Sequence, residues 1–133
     1  MGTVAFERRG GLVFVPVAIR FPDGHVSEFE FVLDTGTAVT MLERRLALRA
    51  GCLPGAAVRR SRVSSILGTE TGYVVRVPEV AAVGVVRCDL AIACHRIDPQ
   101  AAGHGLLGAD FFAGLRLVID YGTGTVELTQ SLP

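Results

Sequence analysis

Lysine is missing from this sequence: all thirteen basic side chains are arginine. The bias reads as codon composition rather than chemistry, because thirteen acidic residues bring the formal net charge to +0 at pH 7. A neutral balance gives no electrostatic footprint for nucleic acid or an anionic membrane. Cysteine is scarce too. Cys52, Cys88 and Cys94 are odd in number and lack C-x-x-C spacing. That pattern argues against a disulfide framework and predicts reduced, mostly buried thiols in a cytosol-like compartment. No apolar run approaches the ~18 residues of a membrane-crossing helix. Glu7, Arg8 and Arg9 interrupt the first 20 residues, so nothing there has the form of a signal peptide. The expectation is a cytoplasmic domain.

What the chain does have is apolar material. Half of its 133 residues are hydrophobic (50%) and the mean hydropathy is +0.45. That is enough for one domain, residues 1–133, with a real core, and too much for disorder. Segments rich in Val and Phe over Thr3 to Arg9 and Leu12 to Arg20, joined by Gly10-Gly11, predict a hairpin. Phe21-Pro22-Asp23-Gly24 predicts a turn. His25 to Leu33 alternates and then becomes wholly apolar, as a strand entering the core does. Thr40-Met41-Leu42-Glu43 fits a capping box ahead of a helix to about Ala50, with Leu42, Leu46 and Ala50 on one face and Gly51 as its stop. Ala57 to Ile66 and Tyr73 to Val77 predict a hairpin around Leu67-Gly68-Thr69-Glu70-Thr71-Gly72. Two strands follow over Val80 to His95, then a loop at Asp98-Pro99-Gln100 and a helical turn around Asp110. Strands over Arg116 to Asp120 and Val126 to Thr129 end the chain. Short, closely spaced strands with one or two short helices predict a mainly β barrel or sandwich.

Few stretches carry chemistry. Gly103-His104-Gly105-Leu106-Leu107-Gly108 spells the G-x-G-x-x-G dinucleotide pattern, but no strand precedes it directly and no long helix follows. Cys88, Cys94, His95 and His104 match no zinc spacing. Cys88 and Cys94 read as core residues on one strand face, and the two histidines as solvated residues flanking a loop. No Ser or Cys sits on a glycine-flanked elbow. Asp120, in Ile119-Asp120-Tyr121-Gly122-Thr123, reads as a structural turn residue, and Asp110 as a helix cap.

Asp34 is different. In Phe31-Val32-Leu33-Asp34-Thr35-Gly36 a buried strand delivers a carboxylate to the point where it surfaces. A charge there needs converging donors, and Gly36 offers a backbone N–H that can approach closely. The plain alternative is a turn, since an Asp-Thr/Ser-Gly triplet arises by accident in roughly one chain in twenty of this length. One carboxylate cannot serve as both base and acid in a single hydrolytic step. Two carboxylates about 3 Å apart can, because their repulsion lets them share a proton. If the chain carries that chemistry, the second Asp comes from a second copy across a two-fold axis.

Phe31-Val32-Leu33-Asp34-Thr35-Gly36-Thr37 resembles the active-site motif of the retropepsin-like aspartic proteases, the single-domain relatives of pepsin. Leu106-Leu107-Gly108-Ala109-Asp110-Phe111-Phe112 resembles their second signature, about 70 residues downstream. The likeness runs over about residues 10–129 and is strongest to bacterial members. It implies a closed pepsin-like acid-protease barrel and an aspartic endopeptidase acting as a homodimer on protein or peptide, with no metal or organic cofactor. Asp34 would be the catalytic carboxylate. Thr35 would lock the two loops across the dimer, and Gly36 would bring its amide to Asp34. The hairpin of about residues 57–78 would be a flap, with Thr37, Gly68, Thr69, Glu70, Thr71 and Gly72 against an extended substrate. The chain departs from retroviral members at Thr37, where they carry Ala, and at Ala109, where they carry an Arg that braces the catalytic loop. The residues also leave open a non-hydrolytic use of the same fold, as a dimerisation or peptide-binding module.

Overall fold

The computed structural model describes residues 1–65 and 68–131. Along the chain run β1 (Gly2–Ala5), β2 (Glu7–Arg9), β3 (Leu12–Arg20), β4 (Val26–Leu33), β5 (Met41–Glu43) and α1 (Arg44–Arg49). After a 3-10 turn at Pro54–Ala56 come β6 (Arg59–Ser65), β7 (Gly68–Ala82), β8 (Val85–His95) and α2 (Pro99–Ala102). The remainder is β9 (Gly105–Leu107), α3 (Ala109–Phe112), β10 (Leu115–Asp120) and β11 (Thr125–Gln130). No helix among the described residues is long and apolar enough to cross a membrane.

The larger sheet runs β2-β3-β4-β9-β5-β8-β7-β6, and a further pairing of β3 with β7 bends it round on itself. Ala18, Ile19 and Arg20 pair with Ala81, Val80 and Glu79 to close that ring. This pairing covers the stretches of β3 and β7 that β2 and β6 leave open and encloses the main core. Val15, Val17, Ile19, Phe21, Phe31, Leu42, Val77, Ile92, Leu107 and Phe111 are all buried in it. A three-stranded sheet, β1-β11-β10, covers one end with Val126 and Leu128 turned inward. The mainly β character is the one expected from the strand spacing, and a closed sheet is what the family resemblance implies. β2 and β3 pair across Gly10-Gly11 with Arg9 opposite Leu12, whereas β1 departs to join β11.

Four local expectations are corrected. Residues Met41 to Glu43 form a strand, not the first turn of a helix, and α1 begins at Arg44. Its cap is Glu43, whose carboxylate accepts from Arg45 N–H at 2.6 Å and Leu46 N–H at 3.4 Å. Thr40 is committed elsewhere. Pairing of Met41 and Leu42 with Ala93 and Cys94 is worth more to the chain than one further helical turn. The Asp98-Pro99-Gln100 stretch is no open loop: Asp98 accepts from Gln100 N–H at 3.0 Å and opens α2. Cys88 is exposed while Cys94 is buried. Both lie on β8, but Asp89 between them has φ 54, and such a left-handed residue interrupts strand alternation as a bulge does. Burial pushes the Cys94 thiol up to about 12, so only Cys88 is a free surface thiol. His95, expected at the surface, is 2% exposed. The predicted hairpin exists as β6 and β7, but its residues Ile66 and Leu67 lie outside the described residues, and Gly68 to Gly72 belong to the strand β7.

Candidate active site

Asp34 follows β4 directly, and β4 is held in register by β9: Val32 lies beside Leu106 and Leu33 beside Leu107. The Asp34 N–H donates to the Leu107 carbonyl at 2.9 Å, which anchors the start of the loop to this parallel pair. The side chain is half-buried. Two donors converge on its carboxylate, one per oxygen. Gly36 N–H reaches Oδ1 at 3.0 Å and the Thr37 hydroxyl reaches Oδ2 at 3.0 Å. Thr37 therefore serves the carboxylate from inside its own loop. Thr35 is exposed, and no hydrogen bond of its side chain occurs among the described residues.

A second layer holds the loop from beneath. Ala109 N–H donates to the Thr37 carbonyl at 2.7 Å and Asp110 N–H to the Ala38 carbonyl at 3.2 Å. The Thr40 side chain is fully buried, and its hydroxyl donates to Asp110 Oδ1 at 2.7 Å while accepting from Gly108 N–H at 3.1 Å. Asp110 also accepts from the Thr40 N–H at 3.0 Å and the Phe111 N–H at 2.8 Å. Asp110 is thus not the cap of α3, whose N-cap is Gly108. It braces the Asp34 loop through Thr40. Close approach explains the glycines of the rejected dinucleotide pattern. A Cβ on Gly108 would lie 2.8 Å from the Thr37 carbonyl oxygen, and one on Gly105 would lie 2.2 Å from that of Met41. Those glycines bring backbones together and cradle no phosphate.

The hairpin β6–β7 has its own buried polar group. His95 Nδ1 bonds the Glu70 carboxylate, and His95 Nε2 lies 2.8 Å from the Ser61 hydroxyl. The Arg44 guanidinium donates to the other Glu70 oxygen at 2.9 Å, and the Arg96 N–H reaches that oxygen at 3.4 Å. Glu70 is therefore turned into the protein. Gly72 makes room for this arrangement, since a Cβ there would meet His95 at 2.7 Å and the Cys94 carbonyl oxygen at 2.2 Å. Gly68 and Thr69 are exposed on the outer part of β7, and Thr71 offers its carbonyl to Arg44. A cavity of about 310 Å³ lies between the hairpin and β9, lined by Met41, Val63, Glu70, His95, Ile97 and Leu106. Its walls are mainly apolar, and Leu106 joins it to the strand that positions Asp34. No three His, Cys, Asp or Glu side chains converge as metal ligands among the described residues.

Thr40, Asp110 and His95 hold roles other than those their local sequence suggests, and Ser61 gave no signal at all. Thr40 and Asp110 are 70 positions apart, and Ser61 and His95 are 34. No local pattern signals either pair.

A closed β ring that presents a braced Asp-Thr-Gly loop is the architecture of the retropepsin-like aspartic proteases. The chain belongs to the gag-polyprotein putative aspartyl protease family, whose profile matches residues 23–113. The fold is similar to that of a retropepsin-like aspartic protease from Rickettsia conorii, with TM-score 0.65 and 18% identity over 97% of this chain and 99% of that one. It is also similar to the retroviral protease-like domain of Ddi1 from Leishmania major, with TM-score 0.55 and 18% identity over 89% and 94% of the two chains. Comparison with curated protein sequences gave no match.

Proposed function

We propose that the chain is an aspartic endopeptidase that becomes active as a homodimer, with Asp34 of each subunit forming a single dyad. The observation that carries this reading is the Asp34 loop. A half-buried carboxylate receives one donor on each oxygen, and its backbone is tied to β9 and α3. Donors of this kind fix the direction in which a carboxylate points. Beside Asp34 of the partner subunit, one carboxylate takes a proton from water as the water oxygen attacks the peptide carbonyl carbon. The other, protonated, hydrogen-bonds the carbonyl oxygen as negative charge develops there. Proton return to the leaving nitrogen then releases amine and acid and restores the starting state.

The exposed Thr35 is free to reach the partner loop, and the β6–β7 hairpin is placed to act as a flap over the Met41–Leu106 cavity, excluding bulk water. An extended peptide would lie between hairpin and loop, pairing with main-chain groups. Three unpaired cysteines, two of them buried, suit a reducing compartment such as the cytoplasm. The test is Asp34→Asn, assayed on a peptide library alongside sedimentation and circular dichroism. Loss of cleavage with fold and dimer intact supports the reading, and cleavage at the wild-type rate overturns it. Tight peptide binding by the wild type with no turnover from acid to neutral pH would instead identify a binding module.

A further inference from the structure

The outer part of the β6–β7 hairpin has little of its own to hold it down. The ladder between β7 and β8 ends with Tyr73 opposite Cys94. Beyond that point Gly68 to Gly72 pair only with β6, and β6 is the last strand of its sheet. A two-stranded ribbon is marginally stable by itself. Yet this one is fastened by a polar network around the buried His95 that draws on four elements. Glu70 on β7 accepts from His95 at the end of β8, from Arg44 at the start of α1 and from the Arg96 N–H. Ser61 on β6 is tied to the other nitrogen of the same imidazole. His95 is 2% exposed, so both ring nitrogens must find partners within the protein.

We propose that Glu70 and His95 form a strap that sets the position of the hairpin over the Met41–Leu106 cavity, and that both are positioning residues for peptide binding. The second clause rests on the endopeptidase reading; the first does not. Glu70 and His95 themselves form one wall of that cavity, with Val63 beside them. Cutting the strap therefore displaces the wall that a substrate side chain meets, while leaving the Asp34 loop and its Thr40–Asp110 brace untouched. The role assigned to Glu70 is to hold that wall in place. Arg44 reaches both Glu70 and the Thr71 carbonyl through its guanidinium, so a lysine there keeps the charge but not the geometry of the two contacts.

The experiment compares wild type with Glu70→Ala, Glu70→Gln and Arg44→Lys by amide hydrogen exchange and by steady-state kinetics on a peptide that the wild type cleaves. Exchange at residues 59–65 and 68–72 should rise tenfold or more in Glu70→Ala and less in Glu70→Gln, with the β1-β11-β10 sheet unchanged. KM should rise several-fold in Glu70→Ala with a smaller fall in kcat, and Arg44→Lys should fall between Glu70→Ala and wild type in both. Wild-type exchange across the hairpin in both Glu70 variants would overturn the strap. A faster-exchanging hairpin with wild-type KM would overturn the positioning role. If the wild type cleaves no peptide, the endopeptidase reading falls and the exchange data still decide the strap.

Discussion

The molecule contains two aspartate turns of nearly the same local chemistry. Asp34-Thr35-Gly36-Thr37 follows β4, and Asp120-Tyr121-Gly122-Thr123 follows β10. In both, the glycine N–H two residues on donates to Oδ1 of the aspartate, at 3.0 Å for Gly36 and 2.8 Å for Gly122. This is the ordinary Asx turn that Asp favours in any chain. The surroundings separate them. Asp34 emerges between two strands of the closed sheet, and its loop is held from below by Gly108, Ala109, Asp110 and Thr40. Asp120 closes a hairpin of the small end sheet, where its carboxylate and Gly122 are exposed. Local sequence makes the turn, and tertiary bracing makes one of the two a candidate catalytic group.

The largest contrast is expected in activity. Peptide cleavage by Asp34→Asn should fall about a thousandfold or more, the scale of losing a general acid–base group, while Asp120→Asn stays within about twofold of wild type, a margin far below that scale. Equal losses in the two variants would erase the distinction between the turns.

Stability gives a second contrast. Leu107 is 0% exposed, and its carbonyl anchors Asp34. Leu107→Ala should cost about 2–5 kcal/mol in chemical denaturation. Ile119, the residue before Asp120, is only partly buried, and Ile119→Ala should cost less. A smaller change, Thr40→Val, keeps shape but removes the hydroxyl that serves both Asp110 and Gly108. It should cost about 1–3 kcal/mol, the penalty of leaving a buried partner unsatisfied, and should lower kcat by loosening the Asp34 loop. Thr123→Val at the other turn should be close to neutral.

The smallest effect is electrostatic. The Thr123 N–H, then the Thr123 hydroxyl and last the Gly122 N–H, hold the Asp120 carboxyl below its ordinary value of 3.8. A depressed folded-state value means that the unfolded chain takes up the proton first as pH falls. The resulting stabilisation is present above the unfolded value and is lost as pH drops through the folded one. Carboxyl chemical shifts from NMR should show Asp120 titrating below 3.8. Full solvent exposure keeps its effect on overall stability slight, and a midpoint at or above that value would contradict the turn geometry.

Much of this was legible in the residues. Strand runs, the Gly10-Gly11 hairpin, the Pro22–Gly24 turn and Gly51 as the end of α1 all follow from local periodicity and backbone preference. Errors cluster where a polar side chain had a local option and a distant one. Thr40 looks like a helix cap, but it is drawn to Asp110 and Gly108. Asp110 looks like the cap of α3, but it is drawn to Thr40. His95 follows a strand and precedes a polar loop, so nothing nearby signals its burial. Pairing of β6 with β7 and of β7 with β8 places Glu70 and Ser61 around it. Alternation also misleads at Cys88, since the left-handed Asp89 is invisible to a period-two reading.

The amino-acid sequence by itself determined the mainly β character, the family signature from Phe31 to Gly36 with its partner at Leu106 to Gly108, and the local turn that presents Asp34. These depend on periodicity, backbone conformation and contacts a few residues apart. The tertiary structure alone decided that Thr40 and Asp110 brace the Asp34 loop, that Asp120 remains an ordinary turn, and that Glu70 faces inward. Each of those outcomes depends on hydrogen-bonding partners tens of residues away. Such partners meet through strand pairing, β9 beside β4 and β5 for the Asp34 loop and β8 beside β7 for Glu70, and a polar side chain then takes the partner that those pairings leave within reach.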